Sequence, residues 1–543
     1  MRAGSTTAAR TALYAVSEFG EFGSLLALAE VVHSKLGLHP VFVFKHDYGA
    51  FEYHTQQLDV LGFSWVSSGR ASLRNDFSSS SPGDGYLVNR PISPAWNGPS
   101  LGTRWNAATA ITWFANVVTV FAAPVVVVAA VPLLIWRRAR LRIGTKGIKS
   151  LLRPFPGPLR WRYARLLREM RKIFEIFRPM IVISGQDYPL SVTTIASLVA
   201  AERGIATAVV PFSMTPTTKE LAESFAGSKT NLLRGRVITW LVMSRFAKWV
   251  NLYRGRLYTR LSFSEILVAE GLGLAPALPW VPNSGRGMLL LPGQQSFDYC
   301  SQAGIPAEQM RITGAVWADQ LWSSRSTREQ RRAELVQDID AMSLRPRSKK
   351  HSTEDRKILL VSWPPNQSPR AATGLRSYKH LCDELARMLT SIDGEVRIAI
   401  SLHPTLAATN IRRMLERQGF FVLSGSLNDA LDCCDIFVAT VSSTLLWSLQ
   451  LGIPSINFDI YRYGYREFRE AGMAEATSVH ELRSILLNII RNPQECEDIV
   501  KAMSAERPRW GSFDGRSIER IINELRSLLS VKDTDNKVFD PMV

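Results

Sequence analysis

Three hydroxyl residues in a row are the first place in this chain where chemistry can be read. Ser442, Ser443 and Thr444 follow the apolar run DIFVAT and open a helical pattern that ends at Gly452 and Pro454. Backbone N–H groups and hydroxyls at a helix start can hold a phosphate, aided by the positive end of the helix dipole. The same position also suits Ser442 as a plain helix cap. His403, in the triplet LHP directly after the run VRIAIS, points into the same rim. Nearer the N-terminus, the turn SEFGEFGS sets Glu18 and Glu21 between a first strand and a first helix. A carboxylate there can take the proton from an attacking hydroxyl, although Glu21 equally fits a first helical turn favoured by the dipole. Asp187, in GQDYP, is a second candidate base. The D-x-D triplets at Asp338/Asp340 and Asp533/Asp535 fall in a charged helix and a tail, not after a strand, so no metal site is expected. No cofactor is expected either. Cys300, Cys382, Cys433, Cys434 and Cys496 show no paired metal spacing and read as reduced thiols of a cytosolic protein.

These residues need a scaffold, and the pattern supplies one. Short apolar runs alternate with helical stretches from TALYAV through VFVF, FSWV, MIVIS, ATAVV, MLLL and MRI. A second set follows: KILLVSW, VRIAIS, FFVLS, DIFVAT and PSINFD. That rhythm predicts an α/β protein of two doubly wound parallel-sheet lobes with a cleft at the carboxyl ends of the strands. Expected boundaries are a first lobe at 1–322, a linker at 323–356, a second lobe at 357–530 and a flexible tail at 531–543. Residues 70–102, rich in Ser, Pro and Gly, read as a loop.

The chain of 543 residues is 46% hydrophobic and carries a net charge of +17, which calls for an anionic partner. Two segments locate that partner. From Trp105 to Trp136 there is no charged residue, and one straight helix of that length would run roughly 48 Å, beyond the ~30 Å of bilayer hydrocarbon. Because strands on both sides must join one sheet, and Pro124 and Pro132 supply breaks, the segment reads as a dip into and out of the cytosolic leaflet. The basic stretch RRARLRIGTKGIKS beside it suits an anionic surface. Residues 229–260 hold eight Lys or Arg and no Asp or Glu, with Trp240, Met243, Phe246, Trp249 and Tyr253 at helical spacing, as in an interfacial helix. No secretory leader pattern opens the chain, and no nucleic-acid recognition motif is present. The expected location is the cytoplasmic face of the inner or plasma membrane, re-entrant or monotopic.

The second lobe resembles the nucleotide-binding lobe of GT-B glycosyltransferases, near the group that includes UDP-N-acetylglucosamine 2-epimerase and CDP-glycerol-type polyol phosphotransferases. LHP, DIFVATVSST and LGIPSINFD carry the resemblance there, and ISGQDYPLSVTTIASLVAAERGIATAVVPF and PGQQSFDYCSQAGIPAEQMRITGAVWADQL carry it in the first lobe. It implies two Rossmann-like lobes, with Ser442, Ser443 and Thr444 on the diphosphate of a nucleotide-sugar donor, UDP-linked. His403 would contact the phosphate or stabilise the departing nucleotide, while Gly314, Ser362 and Trp363 would line the cleft. Related transferases carry a Glu in a loop comparable to that of Glu18 and Glu21. Many also carry an acid on the helix after the serines, where this chain reads LLWSLQ. The resulting expectation is a metal-independent, membrane-associated glycosyltransferase passing a sugar to a lipid-linked or surface-polysaccharide acceptor. Polyol phosphate transfer from a CDP donor, and an inactive scaffold of an export assembly, are the alternatives.

Overall fold

A computed structural model describes residues 10–45, 51–68, 157–213, 216–225, 230–342, 356–366, 377–403, 406 and 410–538. The loop at 70–102, the apolar segment at 105–136 with the basic stretch after it, and the chain beyond 538 lie outside the described residues.

The first sheet begins with β1 (Thr11–Val16), β2 (His39–Phe44), β3 (Ser64–Ser67), β4 (Pro179–Ser184) and β5 (Ala206–Val209). After a separate antiparallel hairpin of β6 (Val250–Tyr253) and β7 (Arg256–Thr259), it is completed by β8 (Met288–Leu291) and β9 (Met310–Ile312). Its order is β3-β2-β1-β4-β5-β8-β9, parallel throughout. Every residue of β1 is buried, as in a strand covered on both faces. The pleat divides it: Ala12, Tyr14 and Val16 join one apolar cluster, while Leu13 and Ala15 join another across the sheet.

The second sheet holds β10 (Ile358–Trp363), β11 (Arg397–Leu402), β12 (Phe421–Val422), β13 (Ile436–Ala439), β14 (Ser455–Phe458) and β15 (Ala474–Ala476), in the order β12-β11-β10-β13-β14-β15. It too is parallel throughout. Each sheet therefore reverses its winding once, between β1 and β4 in the first and between β10 and β13 in the second. Such reversal points open a crevice at the carboxyl edge, because the connecting helices leave to opposite faces.

Three boundaries differ from the sequence expectation. The helix Arg328–Met342 is not a free linker: Leu335 and Ile339 enter the second lobe's core, and Arg331 pairs with Asp432. The helix Val316–Ser324 bridges the lobes, with Val316 in a first-lobe cluster and Trp317, Ala318 and Leu321 in the second-lobe core. The closing helix, Ser517–Val538, returns to the first lobe, where Ile521, Ile522 and Leu525 pack with Ala12 and Tyr14. Burying three such side chains contributes roughly 1.5–3 kcal/mol each. Asp319 fixes the start of that helix by accepting from the Ser517 and Ile518 N–H groups at 2.9 and 2.7 Å.

The basic stretch 229–260 is not one helix. The helix Arg236–Arg245 stops short of Trp249, which is fully buried in a short turn and donates to Glu270 at 2.6 Å, while Tyr253 ends β6. The exposed apolar set is instead Ile238, Trp240 and Met243 on the helix, with Leu252 on the hairpin. Among the described residues, no helix is long and apolar enough to cross a membrane.

Candidate active site

At the first reversal point the turn after β1 meets the turn after β4. Glu18 caps the helix Phe19–Leu36 in a reciprocal box with Glu21: its side chain accepts from the Glu21 N–H, and Glu21 accepts from the Glu18 N–H at 2.9 Å and also from Ser17. The two carboxyls then differ in surroundings. Glu18 is exposed, whereas Glu21 is fully buried and its Oε2 has no hydrogen-bond partner among the described residues. Burial pushes the Glu21 pKa up to about 8, against backbone donors that favour the charge and with the charge of Glu18 adding to the rise.

Glycine makes this packing possible. A Cβ on Gly185 would lie 2.8 Å from the Glu21 Cβ and 3.1 Å from the Phe212 ring, and one on Gly20 would lie 2.9 Å from the same ring. The turns after β1, β4 and β5 thus close over Glu21 and leave Glu18 at the rim.

Asp187 does not reach that rim. It is buried, accepts from Thr194 Oγ1 at 2.7 Å, and its own N–H donates to Asn283 at 2.8 Å. A Cβ on Gly285 would fall 1.5 Å from its Oδ2. Asp187 ties the β4 turn to the loop at 283–286, and burial raises its pKa.

At the second reversal point the strand β13 ends in Thr440, followed by Val441 with φ of 43°, a left-handed conformation that a β-branched residue rarely adopts. The Val441 N–H donates to Asn457 Oδ1 at 3.1 Å. Ser442 Oγ accepts from the Thr444 N–H at 3.3 Å and from Thr444 Oγ1 at 2.9 Å. Ser443 occupies the cap position of the helix Thr444–Leu451 but makes no side-chain cap bond. The N–H groups of Ser442 and Ser443 have no acceptor among the described residues. N–H groups at a kinked turn on a helix start are the kind of donors that can hold an anion. Such backbone strain is tolerated where the surroundings fix it, commonly at a ligand site.

Other expected cleft residues are placed differently. Trp363 is fully buried, Ser362 half-buried, and Gly314 buried beneath the closing helix, where a Cβ would meet Ser517 Oγ at 2.3 Å. Gly314, with φ of 88°, is the seat of that helix and not a cleft wall. His403 follows β11 at the same sheet edge as the serines and remains solvent-accessible; desolvation lowers its pKa. Asp340 pairs with Arg397 and Arg356. The side chains of Asp533 and Asp535 lie outside the described set. Among the described residues no group of three His, Cys, Asp or Glu is placed to hold a metal. Four of the cysteines are buried and Cys496 is half-buried, all as free thiols.

The two edges approach each other through tryptophans that the sequence pattern did not single out. Trp317, just inside the helix that follows β9, packs against Trp447 of the serine helix with ring centroids 5.8 Å apart. Tyr188 and Arg260 were also missed. Each lies in a run that was read for something else, Tyr188 beside Asp187 in GQDYP and Arg260 at the end of the basic stretch 229–260.

No family model matches this chain. No curated protein matches it either. Among solved structures it is similar to UDP-GlcNAc 2-epimerase from Neisseria meningitidis bound to UDP-GlcNAc, with 11% identity, a TM-score of 0.47, and 95% of this chain and 100% of that chain covered. It is similar to the wall teichoic acid polymerase TagF, with 11% identity, a TM-score of 0.46, and 97% and 90% covered. It is also similar to a glycosyltransferase from Rickettsia africae, with 8% identity, a TM-score of 0.44, and 96% and 98% covered.

Proposed function

We propose that the protein is a glycosyltransferase that takes a sugar from a nucleotide-activated donor, UDP-linked, and passes it to a lipid-linked or surface-polysaccharide acceptor at the cytoplasmic face of a membrane. One observation supports the reading: the two reversal points carry different groups, backbone donors and hydroxyls at the helix start Ser442–Thr444 and an exposed carboxylate at Glu18. The helix start meets the donor diphosphate and stabilises the charge that develops on the leaving nucleotide. His403, at the same edge, is accessible to that phosphate. Glu18 takes the proton from the acceptor hydroxyl; it is the one of the three candidate carboxylates that reaches solvent. Glu21 positions the turn that carries it. The transfer needs no resident cofactor, because the nucleotide sugar supplies the activated bond.

Membrane contact is supported by the exposed Trp240 and Leu252, 70% and 67% accessible, in a stretch without acidic residues. The test is UDP release from a panel of UDP-sugars in the presence of detergent-solubilised lipid-linked glycan. Glu18→Gln is expected to lower kcat by roughly 10²–10⁴-fold with little change in donor KM. Release that ignores the acceptor, or a Glu18→Gln rate equal to wild type, sinks the reading.

A further inference from the structure

Arg260 stands apart from other arginines that are buried or half-buried. Arg331 and Arg332 bind Asp432 and Asp435, Arg397 binds Asp340, and Arg520 binds Asp514. The Arg260 guanidinium has no carboxylate or hydrogen-bond acceptor among the described residues. It is held instead by two aromatic rings, with its Cζ 5.6 Å from the Tyr188 centroid and 5.1 Å from that of Phe225. Its backbone is fixed as well: the Arg260 N–H donates to Trp249 O at 3.1 Å, and its carbonyl accepts from Asn231 Nδ2 at 3.3 Å. Phe225 is braced by Trp280, with centroids 5.9 Å apart.

A cation taken partly out of water without a counter-ion is costly. Ring faces offset only part of that cost, and they leave the donor fork open for a bidentate oxyanion. The position is informative too. Tyr188 belongs to the turn after β4, so the cation stacked on its ring lies at the first reversal point, where the turn after β1 carries Glu18. Arg260 also directly follows the hairpin strand β7, whose partner β6 carries the exposed Leu252.

We infer that Arg260, clamped between Tyr188 and Phe225, binds a phosphate or diphosphate group of the acceptor and thereby sets its hydroxyl beside Glu18. The acceptor role rests on the glycosyl-transfer reading; the anion site does not. Arg260 is a positioning residue, since it meets the acceptor's phosphate and not the reacting hydroxyl.

Calorimetric titration of the full chain with farnesyl diphosphate, inorganic pyrophosphate and farnesol tests this. Farnesyl diphosphate is expected to bind, and Arg260→Gln to weaken it by roughly ten- to a hundredfold, the loss that follows from removing a charge-assisted fork. Arg260→Lys, which keeps the charge without the fork, should fall between, and guards against a glutamine variant that fails to fold. UDP binding should be unchanged in both. Pyrophosphate binding as tightly as farnesyl diphosphate supports a phosphate on a soluble acceptor; markedly weaker binding supports a lipid diphosphate. Wild-type protein that binds neither diphosphate, farnesol that binds as well as farnesyl diphosphate, or Arg260→Gln within twofold of wild type overturns the inference. Absence of UDP binding would instead strike only the donor reading.

Discussion

Glu18 and Glu21 show how one turn gives two carboxyls different duties. The sequence offered both as bases and could not separate them, because three residues of spacing say nothing about which side chain Gly185 and Phe212 will enclose. The buried one is held as the neutral acid, and the sign of its effect on stability follows. A folded-state pKa raised from 4.5 to about 8 means that Glu21 binds its proton more tightly in the folded chain. Its contribution is therefore complete below 4.5 and is lost as the pH climbs through about 8, at a slope of up to ~1.4 kcal/mol per pH unit. Glu21→Gln, which keeps the shape and cannot ionise, should remove that slope while retaining activity. Denaturant midpoints of both proteins between pH 5 and 9 measure it, and parallel curves would mean that Glu21 is not buried as described.

At the scale of elements, the strands were legible because runs such as TALYAV and ILLVSW are apolar throughout, which only a sheet covered on both faces requires. The Ser442–Thr444 helix start was legible for the same reason that any cap is. The left-handed Val441 was not, since no residue type announces a φ that the surrounding packing imposes. The destination of Ser517–Val538 was also hidden: its apolar face is amphipathic for any partner, and only the three-dimensional arrangement shows that Ile521 and Leu525 choose the first lobe. Gly314, expected in the cleft, is where that choice is made. Gly314→Ala should cost about 1–3 kcal/mol from backbone strain alone, with more from the clash with Ser517. A melting temperature within a degree of wild type would show that the helix does not seat there.

At the scale of the whole molecule, two lobes meet through Trp317 and Trp447, and the helix Val316–Ser324 and the closing helix both join them. The first lobe adds a basic surface with exposed Ile238, Trp240, Met243 and Leu252. Flotation with vesicles containing anionic lipid should carry the protein, and Trp240→Ala combined with Met243→Ala should reduce the bound fraction several-fold if this surface seats on the bilayer. An unchanged bound fraction would assign membrane contact elsewhere. The proposed function turns on a donor diphosphate seated at the N–H groups of Ser442 and Ser443, which have no acceptor among the described residues. The direct measurement is calorimetry with UDP-sugars and CDP-glycerol on wild type and Ser443→Asp, a change to another residue suited to a helix start that sets a negative charge beside those N–H groups. Wild-type binding of a UDP-sugar that falls by roughly tenfold or more in the variant is the predicted result. Equal binding by the two proteins, or no binding of either nucleotide by wild type, would contradict it, while a preference for CDP-glycerol would keep the seat and favour polyol phosphate transfer.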